Sequence, residues 1–351
     1  MHANNFHFLR FFAAVLVIYG HAYPLSGRDN LDDIQALTGG LFPSAHMGVC
    51  IFFSISGYLI AKSLVYSKSY ISFLWKRFVR IMPGLILATL FTICVVGPLA
   101  TTLPVEAYFK NAGTFKFLKS LKLFPVYPDT LPGVFENLPA KSVNGSLWTL
   151  AYEVSCYMAL LGVYVVFKKN SRYVLLAAFI ALWGSFLYWG SYLEENTVTL
   201  RFVHLNLGHF LNFSMYFLLG SIIYFFQDSI PYRASWVVAL LGIQLFIYWC
   251  SSVKGYIPLA TNGMVRYILV PYVVLYFGFM KGWFNKFGNL GDVSYGLYIY
   301  AFPVQQLIVL HFWPEMISIS EMFIYSLLLT LPLAWISWKL VEEPSLKLKT
   351  L

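Results

Sequence analysis

Runs of about eighteen apolar residues, the length that crosses a hydrocarbon core, recur from one end of this chain to the other. Between them no polar stretch is long enough to fold as a separate soluble domain. Inside lipid every backbone N–H and C=O must be satisfied within the segment itself, so such runs have to be helices. Ten spans are expected, near residues 6–23, 46–65, 81–99, 147–167, 173–192, 207–226, 234–250, 265–280, 292–311 and 322–341. The chain therefore reads as all-α: a polytopic integral membrane protein of about ten transmembrane helices, one domain over residues 1–351 with a long loop at about 100–145. Its composition, 59% hydrophobic and 11% charged over 351 residues, excludes an ordinary soluble domain.

The formal charge of +9 comes from 24 Lys and Arg scattered through short connections, which reads as topology signal and not as a nucleic-acid surface. Lys68, Lys76, Arg77 and Arg80 fall in the second connection, Lys168, Lys169 and Arg172 in the fourth, and Lys281 and Lys286 in the eighth. The first holds Arg28 against Asp29, Asp32 and Asp33, so both termini are expected on the cytoplasmic side. The long third connection dissents with five lysines. Its Pro104, Pro125, Pro128, Pro132 and Pro139 predict an ordered irregular cap on the outer side, a lid or acceptor platform, and no further helix. Cys50, Cys94, Cys156 and Cys250 all sit in apolar runs without a CxxC pair, which indicates neither a disulfide framework nor a metal site.

Against this apolar background the ionisable residues stand out. Arg10 and His21 lie eleven residues apart in the first run, and at about 1.5 Å per residue that is roughly 16 Å, three turns from the cytoplasmic end toward the outer half. A snorkelling arginine and a histidine satisfied by a backbone carbonyl are the plain alternatives. Arg77 and Arg80, three apart, share a helix face and could grip a phosphate together, or serve as ordinary cytoplasmic anchors. Glu153 falls about seven residues, roughly 10 Å, below the outer end of the fourth span and needs a partner, for which His21 is at comparable depth. Asn144 or Ser146 would cap that helix, and Asp292 would cap the ninth. Gln305 and Gln306 follow a kink expected at Pro303, where two amides could hold a polar ligand or glue helices together. His46 opens the second span, and its Gly48 and Gly57 read as close helix packing.

Taken together, Arg10 with His21, the GVxxFFxxSGY pattern of residues 48–58, RxxRIxPG of 77–84, NGSLWTLxxE of 144–153, GxxSYGLY of 291–298 and the terminal ExP resemble the acyltransferase-3 family of bacterial integral-membrane O-acyltransferases. The resemblance spans essentially the whole chain, with the motifs in the expected order. It implies about ten membrane helices and transfer of an acyl group, usually acetyl from acetyl-CoA, to sugar hydroxyls of surface or lipid-linked glycans such as exopolysaccharide or O-antigen. One departure is Ala301, where many relatives carry histidine in the ninth span. The resemblance does not include an extracytoplasmic SGNH-type hydrolase domain, so a two-step relay would need a separate protein.

On this reading acyl-CoA is the donor substrate, without a metal, its phosphates on Arg10, Arg77 and Arg80 and its arm running toward His21. His21 would be general base, or a transient acyl carrier, with Glu153 orienting it. His46, Trp148, Tyr152, Gln305 and Gln306 would meet the acceptor. The expected partners are acyl-CoA, a carbohydrate or lipid-linked glycan and membrane lipid, with a homodimer left open and no nucleic acid. The expected location is the bacterial cytoplasmic (inner) membrane. The competing class is a transporter or flippase in which the same ionisable groups line a polar path.

Overall fold

The computed structural model of the chain describes residues 4–28, 30–124, 129–195, 198–200, 205–253, 263–315 and 317–350. Asp29, Pro125 and Pro128 lie outside the described residues. Among the described residues the protein is all-α apart from one two-stranded pairing of Thr199–Leu200 with Leu205–Asn206. Each of the ten apolar stretches contains a helix: Phe6–Leu25, Ser44–Val65, Tyr70–Phe91, Trp148–Phe167, Ser171–Glu195, Leu207–Phe225, Ala234–Tyr248, Arg266–Phe279, Ser294–Phe312 and Ile319–Ser337. Among the described residues seven helical stretches are long and apolar enough to cross a membrane, and the chain is a multi-pass membrane protein. The count falls below ten partly because Arg266–Phe279 has only 14 residues, which at about 1.5 Å each reach roughly 21 Å. It also falls because Trp148–Phe186 runs as one stretch through the 3₁₀ turn Lys168–Asn170.

One boundary moves with consequence. The third helix begins at Tyr70, eleven residues before the expected span, so Arg77 and Arg80 stand on a helix face and not in a connection.

The chain divides into two compact units. The first comprises residues 1–9, 49–70 and 152–287. In it the second half of Ser44–Val65 packs on Leu207–Phe225 through small residues: a Cβ on Gly57 would stand 2.0 Å from the Phe217 carbonyl oxygen, and one on Gly220 2.3 Å from that of Ser54. Ser221 Oγ donates to the Gly57 carbonyl at 3.0 Å across the same seam. Backbones this close are how membrane helices associate when lipid removes the hydrophobic drive. Asn5 closes the unit, its Nδ2 donating to the Phe277 and Met280 carbonyls at 2.8 Å each.

The second unit comprises residues 10–48, 71–151 and 288–351. Its core joins the third connection to helix side chains: Tyr108, Phe117, Val134 and Phe135 are buried with Ala22, Ile93 and Phe302. The described part of the connection contains the short helices Val105–Lys110 and Ala112–Lys116 and a 3₁₀ stretch Phe117–Lys122. The expectation of no helix there is corrected. Short helices form because Asn111 caps the second through Gly113 N–H at 2.8 Å, and because Tyr108 and Phe117 turn a buried face inward. An isolated bridge, Thr101 to Val134, ties the two ends of the segment.

Candidate functional site

In the second unit the two ionisable ends of the first helix meet different surroundings. At Arg10 the structure builds a charge cluster. Arg10 Nη1 reaches Asp292 Oδ2 at 3.1 Å and Arg80 Nη2 reaches the same oxygen at 2.6 Å, while Ser294 Oγ donates to Oδ1. The Asp292 side chain is 3% exposed. A carboxylate buried to that degree requires cationic partners, and two arginines on one oxygen leave the trio with a positive charge. The expected N-cap role for Asp292 is corrected: Val293 occupies that position without a side-chain cap, and Asp292 turns to the arginines instead. Ion pairing wins because a desolvated carboxylate gains more from two guanidinium donors than from one helix N–H.

The surrounding shell fixes the cluster. Arg80 lies over the Tyr295 ring at 5.9 Å and Arg77 over Phe73 at 5.7 Å. Tyr295 OH donates to the Ile81 carbonyl at 2.9 Å, and its ring fills the space where a Cβ on Gly84 would stand, 2.7 Å away. Glu342 is buried, accepts from Ser337 Oγ at 3.0 Å and lies within electrostatic range of Arg80. Its second oxygen has no hydrogen-bond partner among the described residues. Lys349 comes close to Arg80, Arg77 and Arg10. Burial first and those cations next push its ammonium down to about 8, with Asp292 acting the other way.

Three turns along the first helix, His21 is half-buried with its ring edge-on to Phe302, centroids 5.3 Å apart at 80°. Pro303 explains how the neighbouring segment docks there. Proline has no N–H, so the Ile299 carbonyl loses its helical donor, and Asn144 Nδ2 supplies one at 2.9 Å. Asn144 Oδ1 accepts from Ser146 N–H at 3.3 Å, so the capping role expected of Asn144 is replaced by a bridge to another helix. Tyr298 OH then donates to the Ser146 carbonyl at 2.9 Å. Gly145 lies against Phe302, where a Cβ would meet ring carbons at 2.6 and 2.7 Å.

Gln305 Nε2 donates to the Ile18 carbonyl at 2.8 Å, one turn before His21, and Gln306 Nε2 to the Ala140 and Ser142 carbonyls at 2.7 Å each. Of the two readings of these amides, their nitrogens follow the helix-joining one. The Oε1 of each remains without a hydrogen-bond partner among the described residues. His46 stands beside Ala45, whose backbone N lies 2.4 Å from where a Cβ on Gly20 would be, so His46 and His21 each adjoin this one helix contact. Gly48 likewise lies on the Ala13 carbonyl, the close packing its sequence suggested. Trp148 is half-buried at the first position of its helix.

Two site residues belong to the first unit. Glu153 Oε1 accepts from Ser56 Oγ at 2.7 Å and from Tyr157 OH, so hydroxyls on two helices hold the carboxylate. Tyr152 OH accepts from Asn206 N–H at 3.0 Å, and its ring lies edge-on to His209.

Arg10 and Arg80 thus share one carboxylate, with Lys349 in electrostatic range of both and of Arg77. Asp292, Phe302 and Lys349 are the residues that sequence reasoning did not assign to these arginines or to His21. Helices that lock ionisable groups inside the membrane, with a charge cluster at one end of a helix and an imidazole further along it, define an integral-membrane protein with a built polar site. Comparison with known proteins gives that class its family. The acyltransferase domain family matches residues 4–339, and the chain belongs to it. An O-acetyl transferase of Shigella phage Sf6 is 32% identical over 361 residues, covering 98% of this chain and 96% of that protein. Nodulation protein 10 of Rhizobium leguminosarum bv. viciae is 28% identical, covering 99% and 95%. No solved structure matches the chain. The protein is a membrane O-acetyltransferase of the acyltransferase-3 family, which sets aside the transporter alternative.

Proposed function

We propose that this O-acetyltransferase takes acetyl from acetyl-CoA at the cytoplasmic face and esterifies a hydroxyl of a sugar in a surface or lipid-linked glycan. The observation that carries the reading is the first helix itself. Arg10 stands with Arg80 on Asp292, and His21 lies roughly 16 Å further along, a span suited to an extended pantetheine arm. Arginines suit phosphates because their planar fork offers paired donors with permanent charge. His21 accepts the proton of the acceptor hydroxyl as its oxygen attacks the thioester carbonyl. The C–S bond breaks, and the departing thiolate recovers that proton from the imidazolium, so CoA leaves as the free thiol.

In this reading about ten helices cross the bacterial inner membrane, both termini are cytoplasmic, and the acceptor enters from the outer side near residues 100–145. His46, Trp148, Tyr152 and the Oε1 atoms of Gln305 and Gln306 are its candidate contacts. Glu153 is the candidate carboxylate of the transfer step, positioned by the hydroxyls of Ser56 and Tyr157.

The test is transfer of label from radiolabelled acetyl-CoA to membrane glycan by purified protein in liposomes. His21→Ala should lower turnover by about 10² to 10⁴ while leaving CoA binding intact, and Arg80→Ala should weaken CoA binding. Undiminished transfer by folded His21→Ala, or label that never enters glycan with wild type, would sink the corresponding part.

A further inference from the structure

The long connection carries a row of lysines beside a row of exposed apolar side chains. Lys116 already has the φ −60° and ψ −26° of a 3₁₀ turn, and Phe117–Lys122 continues it. At three residues per turn, side chains at i and i+3 eclipse, so the segment presents three columns. Thr114, Phe117 and Ser120 form the inward one. All three are buried; Thr114 Oγ1 donates to the Tyr108 carbonyl at 2.6 Å, and Ser120 Oγ lies 3.5 Å from Thr89 Oγ1. Lys116, Lys119 and Lys122 form the second column and are exposed. Phe115, Leu118 and Leu121 form the third, of which Phe115 and Leu118 are exposed.

The place of this segment along the Tyr70–Phe91 helix sets its depth. Trp75 is an aromatic of the kind that marks a membrane boundary, and Thr89 stands fourteen residues further on, roughly 21 Å away. With a hydrocarbon core of about 30 Å, Ser120 beside Thr89 lies roughly 9 Å inside the opposite boundary. That is the depth at which an amphipathic segment lies in the interface, its lysine stems snorkelling to the headgroups. Within the connection Lys110 pairs with Glu106, and Glu136 accepts from the Gly133 N–H at 3.0 Å. Among the described residues no carboxylate pairs with Lys116, Lys119 or Lys122.

We propose that residues 112–122 are an interfacial anchor for anionic phospholipid, with Phe115 and Leu118 entering the acyl-chain boundary and Lys116, Lys119 and Lys122 binding headgroup phosphates. At about 2 Å rise per residue the lysine column is roughly 12 Å long. That length suits the phosphates of neighbouring lipids better than the single diphosphate of a lipid-linked glycan, which two lysines would span. Phe117 shares its core with Ala22 and Phe302, so lipid held by this segment steadies the packing next to His21.

The full chain is placed in nanodiscs of phosphatidylcholine, of equal parts phosphatidylcholine and phosphatidylglycerol, and of phosphatidylcholine doped with polyprenyl diphosphate. Hydrogen exchange of peptides covering residues 112–122 is read by mass spectrometry for wild type and for two triple variants, Lys116→Gln with Lys119→Gln and Lys122→Gln, and the same three positions changed to Arg. Phosphatidylglycerol should slow wild-type exchange there about tenfold, since each lysine near an anionic surface adds to the attraction. The Gln variant should lose that slowing and the Arg variant keep it, while peptides from Leu207–Phe225 exchange alike in all three proteins and so report an intact fold. Phe115→Ser with Leu118→Ser should speed exchange of the segment in phosphatidylcholine and in the mixture alike. Equal wild-type exchange with and without phosphatidylglycerol overturns the proposal, as does slowing that survives in the Gln variant. Slowing by polyprenyl diphosphate but not by phosphatidylglycerol gives the surface to a lipid-linked glycan and overturns it as well.

Discussion

Replacing Gly145 with alanine probes the surroundings of His21 without touching an ionisable group. A Cβ there would stand 2.6 Å from a Phe302 ring carbon, about 1 Å short of the roughly 3.5 Å at which carbon atoms rest. Phe302 is buried in the core of its unit and edge-on to His21, so the ring can yield only by moving its neighbours, the imidazole among them. Misplacement of a reacting group by about 1 Å can cost on the order of a hundredfold, about 2.7 kcal/mol in the barrier. Gly145→Ala should therefore lower the turnover of acetyl transfer by about that factor. The apparent affinity for donor should stay put, because the arginine cluster lies three turns away along the helix. Adding Phe302→Leu should recover much of the loss, since a smaller side chain accommodates the new methyl group, and the double-mutant cycle should show coupling. Gly145→Ala that transfers acetyl within about threefold of wild type would refute the reasoning. So would a folded double variant no better than the single.

Asp292→Asn removes the shared carboxylate from two arginines that are each about a fifth exposed, and should destabilise the protein by about 3 kcal/mol in denaturant titration; adding Arg80→Gln should cost less than the sum of the two, and strict additivity would argue against the shared pair. For Lys349 the lowered pKa makes stability depend on pH. Its ammonium titrates near 8 in the free protein and nearer the ordinary lysine value of 10.5 in the unfolded chain, so the unfolded chain binds more protons in that window and stability rises with pH across it. Lys349→Gln should flatten that rise, and an unchanged stability profile would separate Lys349 from the arginines. Tyr157→Phe deletes one of the two hydroxyls on Glu153, a hydrogen bond worth about 1 kcal/mol or more, and should reduce turnover by about tenfold with donor affinity intact. Equal loss of turnover and donor affinity would speak for general misfolding.

The helices were legible because apolar length is a property of each segment alone. Arg10 and His21 were legible because charge inside an apolar run has to be explained locally. Asp292 was misread as a helix cap for the same reason turned round: its arginine partners lie 282 and 212 residues away, and capping rules look only along the chain. Asn144 is intermediate. Pro303 announces that the carbonyl four residues earlier needs a donor, but nothing near Pro303 says that the donor comes from residue 144. Nothing local in the sequence singles out Lys349, because the bond that places its neighbour Leu348 comes from Trp75, 273 residues away.

The π turn at Thr92–Val96 reaches beyond its own helix. Tyr108, wholly buried, donates its hydroxyl to the Ile93 carbonyl in that turn at 3.0 Å, and its ring takes the room where a Gly97 side chain would be. Burial pushes that phenol up to about 12, so the bond keeps its proton at any physiological pH. The connection between the third and fourth long helices is consequently not an interchangeable module. Anyone transplanting it between relatives to alter acceptor choice has to carry Thr92–Gly97 with it, because lock and key reside in different segments of the sequence. A graft of the connection alone should leave a bulky phenol with no slot, or an empty slot beside glycine, and the graft's folding yield would report which.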